Sequence, residues 1–477
     1  MAFNLCYDNQ MKIEEEILLK DVHAKILSYL DNPQIKPIET VGNIRKDLNI
    51  TLGSSSDNDN IRTSVDKYLQ YSTKTSSSNF INQLYGGFSI TGHIGEMLSS
   101  ITNNSMYTYE MSPVSTLMEI ELVKKMSSFV GYENGGGIFV PGGSNGNLLA
   151  MLAARQRKAP ETMKKGLFKT AELTVFVSKD SHYSMVKSAV QLGLGTDNVM
   201  KVDTDDEGKM LVSDLERLIR ESIEKNQKPF FVGATSGSTV RGSFDSLNEI
   251  NKICKKYDLW LHVDGSWGGS ALLSRNHRNL LEGAEKSDSF SWCAHKAMSQ
   301  PLICTVALFK SPSILREINS IEGTNYLFHD KADEINMGEY SLQCGRRVDS
   351  LKLWLTWKYL GDIGFEKHID HLFNMAKYAE EKIESSEELI LISPVNYLNL
   401  CFQVKPNGLA PEQVDDFTIA IRHKLLEKGK AMVNYAKIDN KNCIRLVTVN
   451  PDLTTEHLDT FFENVEAMSI LLLKEGY

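Results

Sequence analysis

The sequence predicts an α/β fold in which a largely parallel sheet lies between helices, with a smaller α+β domain at the C-terminus. Two observations support this. Short apolar runs typical of buried strands alternate with helical patterns from about residue 137 to residue 309. Beyond Gly361, helices and closely spaced strands follow one another in a different order. We therefore predict three regions, 1–95, 96–360 and 361–477.

The composition is typical of a globular protein, because 42% of the residues are hydrophobic and 24% are charged. A formal net charge of −9 argues against nucleic acid or an anionic membrane as a partner. We find neither a signal-peptide pattern nor a run of about 18 apolar residues, so no membrane span is expected. The seven cysteines are scattered without a C-x-x-C pair, which predicts no metal site and favours reduced thiols in a cytoplasmic enzyme.

The N-terminal region begins with apolar residues at helical spacing over 11–31, which predicts an amphipathic helix. Polar residues over 52–60 and 72–79 are typical of loops. The aromatic loop 82–88 either anchors itself to the core or lines a pocket. A second helix is predicted over 113–130.

A glycine-rich turn joins a predicted strand to a predicted helix. The strand begins near residue 137, Gly142, Gly143 and Ser144 form the turn, and an apolar helical pattern follows from residue 148. Glycines allow a backbone to approach a ligand closely, and free N–H groups at a helix start attract phosphate. An ordinary strand-to-helix turn with a capping side chain fits the same residues.

The elements that follow predict a parallel sheet with helices on both faces. Strands are predicted over 173–178, 199–202, 229–235, 260–263, 289–293 and 302–309, with helices over 180–192, 213–226 and 246–257. Ser213 and Glu216 fit a capping box at the start of the second of these helices.

Two of these strands end in a pair of residues with a chemical use. Asp264 follows the strand over 260–263, and Lys296 follows the next strand, 32 residues later. A lysine amine forms a Schiff base with an aldehyde cofactor, and a carboxylate keeps a pyridine nitrogen protonated, so the pair suits pyridoxal phosphate. The open alternative is that Asp264 is a turn residue or helix cap and that Lys296 is simply solvated.

Two further residues have both a structural and a functional interpretation. His182 follows a strand at the same edge of the sheet, where it either packs or stacks on a pyridine ring. Residues 321–340 are polar and carry Tyr326, so they form either a surface loop or a lid that bears a tyrosine acid. A long helix is predicted from residue 350. The C-terminal region then has helices over 365–385, 411–428 and 455–473, and strands over 389–392, 397–404, 431–436 and 443–449.

The chain resembles the group II pyridoxal-phosphate decarboxylases, and within them the glutamate and cysteine sulfinate decarboxylase branch. The resemblance extends from about residue 82 to near the C-terminus. The segments that carry it occur in one order, over 106–113, 141–143, 181–184, 234–237, 259–269, 295–296, 326–328, 343–349 and 445–447.

The resemblance implies a fold, a cofactor and an assembly. It implies the aspartate-aminotransferase-type fold (fold type I), pyridoxal 5'-phosphate as cofactor, and a homodimer with active sites at the interface. Residues 1–95 would then pack on the partner subunit. The implied function is α-decarboxylation of a small acidic L-amino acid, namely aspartate, cysteine sulfinate or glutamate.

The resemblance also implies a role for individual residues. Lys296 would carry the cofactor, Asp264 would pair with the pyridine nitrogen, and His182 would stack over the ring. Tyr326 would deliver a proton to Cα, and Arg445 would bind the substrate α-carboxylate through a bidentate contact. The remaining residues would contact the phosphate (Gly143, Ser144, His295), the ring (Thr235, Ser266) or the substrate side chain (Tyr85, Phe88, Asn104, Tyr107).

Three departures from the family pattern surround the cofactor. Cys293-Ala294 stands where relatives have Asn-Pro, Gly265-Ser266 stands where they have Ala-Ala, and the turn over 144–147 also differs. The asparagine of the relatives helps to bind phosphate. Two other functions therefore stay open: a related reaction (aldehyde-forming oxidative deamination or transamination), and a binding protein with a decayed site.

Overall fold

The structure, a computed structural model, describes residues 9–48, 50, 57–168, 170–320, 328 and 335–477, with backbone only for 9–13. Its N-terminal region contains three helices and one short strand: α1 (Asn9–Asp31), α2 (Val41–Leu48), α3 (Asn58–Tyr71) and β1 (Phe80–Ile81). The helix predicted over 11–31 is confirmed. The prediction of a loop over 52–60 is wrong at its C-terminal end, because α3 already begins at Asn58. The Asp57 side chain accepts the Asn60 N–H and caps this helix.

A seven-stranded sheet forms the centre of the molecule. In space its order is β2-β8-β7-β6-β5-β3-β4, in which β3 to β7 are parallel and β8 is antiparallel to both of its neighbours. Its strands are β2 (Gly136–Phe139), β3 (Leu173–Ser178), β4 (Val199–Val202), β5 (Lys228–Thr235), β6 (Trp260–Asp264), β7 (Ser289–Cys293) and β8 (Thr305–Phe309). The strands β3, β5, β6, β7 and β8 are buried almost without interruption, as expected when helices cover both faces of a sheet. The predicted α/β class is confirmed.

Helices flank this sheet: α4 (Ile90–Thr102), α5 (Pro113–Val130), α6 (Gly143–Lys158), α7 (Thr162–Lys165), α8 (Ser184–Gln191), α9 (Val212–Glu224), α10 (Leu247–Tyr257) and α11 (Ser313–Asn319). Short 3-10 turns cover Gly268–Leu273, Arg278–Leu281, Ala284–Lys286 and Met337–Tyr340. Helix α6 matters most for function, because its alanine-rich face packs across the central strands β5 to β8. Its N-terminus therefore points to the carboxyl ends of the parallel strands β5, β6 and β7.

The capping box predicted for α9 is wrong. The residue that precedes the helix is Leu211, and the helix begins one residue before Ser213. Asp214 instead accepts the Asp203 N–H at 2.9 Å, so the polar side chain ties the helix to a neighbouring loop.

A second, five-stranded sheet forms the C-terminal region. It has the order β1-β11-β12-β10-β9, so the N-terminal β1 is its edge strand and runs parallel to β11. Its other strands are β9 (Leu389–Leu391), β10 (Asn399–Val404), β11 (Met432–Ile438) and β12 (Lys441–Val447), and its helices are α13 (Val414–Glu427), preceded by the 3-10 turn Pro411–Gln413, and α14 (Thr455–Lys474).

A long helix, α12 (Ser350–Glu384), joins the two sheets. It is interrupted at Gly361, whose φ of 64° lies in the left-handed region that glycine tolerates best. The interruption supports a domain boundary near residue 361. The three regions 1–95, 96–360 and 361–477 remain a prediction, and α4 runs through residues 95 and 96. Among the helices of the described residues, none is both long enough and apolar enough to cross a bilayer.

Candidate active site

A cavity of about 250 Å³ lies at the carboxyl ends of β5, β6 and β7, beside the start of α6. Open α/β sheets bind ligands at this edge. The strand register brings Thr235 of β5 level with Asp264 of β6. The cavity is lined by Gly143, Ser144, Asn147, His182, Tyr183, Thr235, Gly237, Thr239, Asp264, Ser266, Trp267, Cys293, His295 and Lys296. The pattern at the strand ends therefore predicted a set of residues that do share one cavity.

Asp264 is a buried carboxylate held by several donors. Its Oδ1 accepts the Ser266 N–H at 3.1 Å, and its Oδ2 accepts the Asn147 side-chain amide at 2.8 Å. Burial alone would raise the pKa of Asp264, but the Ser266 hydrogen bond, the Lys296 charge, His262 and Asn147 together hold this pKa below its ordinary value. Asp264 is therefore ionised at neutral pH in spite of its burial.

A chain of hydrogen bonds behind Asp264 has a definite direction. Trp260 Nε1 donates to Ser289 Oγ at 2.8 Å, and Ser289 Oγ lies 2.9 Å from His262 Nδ1. The Asn147 amide nitrogen donates to Asp264 and Ser184, so its Oδ1 faces His262 and accepts from His262 Nε2 at 2.9 Å. A neutral ring with its hydrogen on Nε2 leaves Nδ1 as an acceptor, so Ser289 Oγ donates to His262 Nδ1. Burial lowers the pKa of His262 to about 4, so the imidazole is neutral and this tautomer is fixed.

Asn147 connects this chain to His182. One amide hydrogen of Asn147 points to Asp264, and the other reaches Ser184 Oγ at 2.9 Å. Ser184 Oγ lies 2.8 Å from His182 Nδ1 and donates its hydrogen there, which leaves the single N–H hydrogen of a neutral His182 ring on Nε2. Burial lowers the pKa of His182, so the ring at the cavity wall is neutral.

Replacing Asn147 with alanine should reduce kcat by about 10-fold and weaken cofactor retention. The substitution removes one charge-assisted hydrogen bond to Asp264, worth about 1.5–3 kcal/mol, together with the acceptor of His262 Nε2 and the donor to Ser184 Oγ. Cofactor dissociation and steady-state kinetics would measure the effect. Asn145→Ala is the matched control, since Asn145 is exposed on the same helix and does not line the cavity. If the two variants had equal kcat and equal cofactor dissociation, Asn147 would contribute neither to catalysis nor to cofactor retention.

His262 should also make folding depend on pH. Its pKa is about 4 when folded and about 6.5 when unfolded, so between these values the unfolded chain binds a proton that the folded chain does not. The free energy of unfolding should therefore fall as the pH drops from 6.5 to 4, by up to about 3 kcal/mol. Urea midpoints of the native protein and of His262→Gln isolate this effect, because all other groups titrate in both proteins. If the urea midpoint changes with pH in the same way in both proteins, His262 is not the source of the pH dependence.

Lys296 follows β7 and lines the cavity together with His295. The Lys296 charge contributes to lowering the pKa of Asp264, which places the two groups close together. Burial lowers the pKa of His295 to about 4. His295 Nδ1 lies 2.9 Å from the Cys304 carbonyl oxygen and 3.1 Å from the Cys304 backbone nitrogen, so the backbone of Cys304 fixes the ring at the cavity wall.

The start of α6 leaves room for a ligand that a side chain would fill. A Cβ placed on Gly143 would lie 2.4 Å from Ser266 Oγ and 3.2 Å from Cys293 Sγ. Ser266 Oγ and Thr235 Oγ1 are buried at the cavity and have no hydrogen-bond partner among the described residues. Orphaned hydroxyls, a helix N-terminus, a carboxylate and a lysine amine are the groups that pyridoxal phosphate requires. The residues present therefore fit this cofactor.

One of the departures from the family pattern, Gly265, has a packing explanation. A Cβ on Gly265 would lie 2.2 Å from the Phe290 ring, so the alanine of the relatives cannot fit here without moving that ring. Ser266 and Cys293 instead change the chemistry of the cavity wall, since each lines it.

Arg445 lies on β12, next to the cavity rather than in its wall. It is only 5% exposed, and its guanidinium donates to Thr239 O and Asn82 O, each at 2.9 Å. Its Nε has no partner among the described residues. Thr239 lines the cavity, so one residue separates this fixed cation from the cavity space.

The predicted substrate-side residues are not part of this cavity. Tyr85, Phe88 and Tyr107 are partly exposed, Asn104 is exposed, and none of the four lines the cavity. Tyr326 lies outside the described residues. A larger cavity of about 590 Å³, bounded by α1, α3 and Met432, contains none of the predicted site residues.

Several residues of the cavity and of the hydrogen-bond chain behind it were not predicted as site residues from sequence, above all Asn147 in the cavity wall and His262 in the chain. His262 precedes Asp264 by two positions on one strand, so the two share a face, and this spacing was an available signal. Asn147, Tyr183, Thr239 and Trp267 reach the cavity from separate elements and left no such signal.

Comparison with known proteins shows what the chain is similar to. The family described as "Pyridoxal-dependent decarboxylase conserved domain" matches residues 42–405. The chain is 36% identical to Acidic amino acid decarboxylase GADL1 of Bos taurus over 471 residues, which cover 96% of this chain and 89% of the relative. It is 38% identical to Cysteine sulfinic acid decarboxylase of Mus musculus over 412 residues, 84% of each chain. The crystal structure of mouse CSAD superposes with a TM-score of 0.92 at 35% identity, over 96% of this chain and 99% of that one.

Proposed function

Because this chain belongs to the pyridoxal-dependent decarboxylase family, we propose that it removes the α-carboxyl group of a small acidic L-amino acid as CO₂. The candidates are aspartate, cysteine sulfinate and glutamate. One observation carries the proposal: Lys296 and Asp264, on adjacent strand ends, share a cavity that also holds His182. The relatives named for acidic amino acids and cysteine sulfinate support the acidic class.

Pyridoxal phosphate, when bound, supplies an aldehyde that condenses with amines and a protonated pyridine that accepts the electrons of the broken Cα–carboxylate bond. Lys296 provides the amine that holds the aldehyde. Asp264 stays ionised, because its surrounding donors outweigh its burial, and keeps a proton on the pyridine nitrogen. The neutral His182 ring offers a flat face at the cavity wall, and Thr235 and Ser266 offer hydroxyl groups.

The phosphate end is assigned to the start of α6 and to His295. Backbone N–H groups at Gly143 and Ser144 carry the partial positive charge of a 16-residue helix. His295 adds an imidazole ring that lines the same cavity and is fixed by the backbone of Cys304. Burial of these groups away from water strengthens each of these interactions.

Arg445 is proposed to bind the substrate α-carboxylate. Two backbone carbonyls fix its guanidinium, so little conformational entropy is lost when it binds a carboxylate. A carboxylate held in one place also fixes the direction of the bond that must break. Tyr326 is proposed to return a proton to Cα, and it stays a prediction because it lies outside the described residues.

We also propose a homodimer, because the chain exposes apolar residues on α4 and α5. This surface comprises Ile90, Ile94, Met97, Leu98 and Ile101 of α4, together with Val114 and Leu117 of α5, and Ile101 is 75% exposed. Exposed apolar patches of this kind mark interaction sites. In such a dimer, Tyr85, Phe88, Asn104 and Tyr107 of one subunit would complete the substrate pocket of the other. Sedimentation equilibrium of the purified chain tests this.

The proposed location is the cytoplasm. It is supported by the six described cysteines, all of which are free thiols, as expected in a reducing compartment.

The decisive experiment is a substrate panel with the cofactor-loaded protein. Aspartate, cysteine sulfinate, glutamate and an aromatic amino acid are assayed for CO₂, and each product is identified by mass. We expect CO₂ and the matching amine from at least one acidic substrate, and none from the aromatic one. Full cofactor loading without CO₂ from any acidic substrate would overturn the proposal.

The same panel separates the alternative reactions. Peroxide and keto acid are measured beside CO₂, since oxidative deamination releases the first and transamination the second. A protein with a decayed site would produce none of these products.

A further inference from the structure

Cys293 is the last residue of β7, and its thiol faces the cofactor cavity. Its Sγ lies 3.2 Å from the point that a Cβ on Gly143 would occupy, and the Thr305 hydroxyl donates to it at 3.2 Å. The residue is 1% exposed, so the small surface that it has belongs to the cavity wall. Any group added to this sulfur must project into the space beside the start of α6.

The other described cysteines have different surroundings. Cys254, Cys304, Cys401 and Cys443 are buried and do not line this cavity, whereas Cys344 is exposed. Burial raises the pKa of Cys254 and of Cys304, so these two thiols are inert as long as the fold is intact. Among the described residues, Cys293 is thus the one cysteine at the cavity.

A second, independent observation indicates that a polar ligand occupies the space next to this thiol. Ser266 is 6% exposed, lines the cavity, and its Oγ has no hydrogen-bond partner among the described residues. The Cβ position of Gly143 is 2.4 Å from this oxygen and 3.2 Å from the Cys293 sulfur, so both groups adjoin the same point. A buried hydroxyl without a partner is costly unless a ligand satisfies it.

We propose that Cys293 is a modification site for small thiol-directed electrophiles, and that modification and cofactor binding exclude each other. The inference rests on the proposed placement of the cofactor in this cavity. A group on Sγ would take up part of the cavity of about 250 Å³ that Cys293 lines together with Asp264 and Lys296, which is the space that the cofactor needs.

The probe is methyl methanethiosulfonate, which is small enough for the cavity. The Cys293 thiolate attacks the sulfenyl sulfur, an S–S bond forms, methanesulfinate leaves, and the thiol proton goes to solvent. Dithiothreitol reverses the reaction by thiol–disulfide exchange.

The full chain is treated with the probe with and without pyridoxal phosphate, and each cysteine is followed by peptide mass spectrometry. Without cofactor, Cys293 should be modified while Cys254 and Cys401 are not. With cofactor at 100 times its Kd, modification of Cys293 should slow about 100-fold, the factor that mass action predicts. Cys344, which is exposed, should react at the same rate in both states.

Modified protein should then fail to show the visible absorbance of the bound cofactor, and dithiothreitol should restore it. Cys293→Ser should bind cofactor after the same treatment. The proposal is overturned if Cys293 does not react, if it reacts equally in both states, or if modified protein binds cofactor normally. Labelling of Cys254 and Cys401 together with Cys293 would indicate unfolding and would also count against it.

The experiment can be separated from the test of function. Borohydride reduction followed by mapping of the cofactor to Lys296 establishes independently whether the cofactor occupies this cavity. A protein that passes this mapping but shows no protection of Cys293 refutes the inference and leaves the decarboxylase proposal intact.

Discussion

Lys296→Ala should eliminate measurable decarboxylation. The substitution removes the amine that holds the cofactor aldehyde, together with a group that can transfer protons within the cavity. General acid–base catalysis alone contributes about 10²–10⁴-fold, so we expect kcat to fall by at least about 1,000-fold. The visible absorbance of covalently bound cofactor should also disappear, and borohydride should fix no cofactor to the chain.

Lys310→Ala is the matched control for this substitution. Lys310 is an exposed lysine that follows β8 and donates to the Glu285 carbonyl at 2.9 Å, away from the cavity. The Lys310→Ala protein should keep the native decarboxylation activity and the visible absorbance of the bound cofactor. A Lys296→Ala protein that retained the absorbance and more than a hundredth of the activity would place the covalent attachment elsewhere.

The residues that could be predicted from sequence share one property: each ends or follows a strand whose apolar pattern is unmistakable. Asp264 and Lys296 belong to this group, and so do Thr235 and His182. The carboxyl ends of parallel strands meet at one edge of a sheet, so their relative positions follow from the strand order. The strands over 173–178, 199–202 and 289–293 have the predicted bounds for the same reason.

The residues that could not be predicted depend on contacts between distant segments. Asn147 contacts His262 across 115 residues of chain, and no local pattern encodes that approach. The two-residue strand β1 is too short to show a period, yet it completes a sheet more than 350 residues later in the chain, at Met432 and Val433. The apolar run of β8 likewise does not indicate that this strand is antiparallel to β7.

Asp264→Asn should lower kcat/KM by about 10²–10³-fold while the cofactor remains attached to Lys296. The asparagine oxygen can still accept the Ser266 N–H, so the local fold should persist. The negative charge disappears, together with the oxygen that accepts from the Asn147 amide, and removal of one preorganised electrostatic group from an active site costs about this much. Steady-state kinetics and the visible absorbance of the bound cofactor separate this loss from that of Lys296→Ala, which removes both signals.

The control is Asp288→Asn, at the opposite end of the same strands. Asp288 is also a largely buried carboxylate, and it accepts the Leu261 N–H at 2.8 Å and pairs with Arg157 at 2.8 Å. Its substitution changes the same chemical group far from the cavity, so kcat/KM should stay within about twofold. If instead Asp264→Asn kept a tenth or more of the native kcat/KM, the charge on this carboxylate would not be what drives the reaction. The hydrogen-bond chain from Trp260 to Asn147 would then serve packing alone, since keeping Asp264 ionised is the one chemical task that its direction supports.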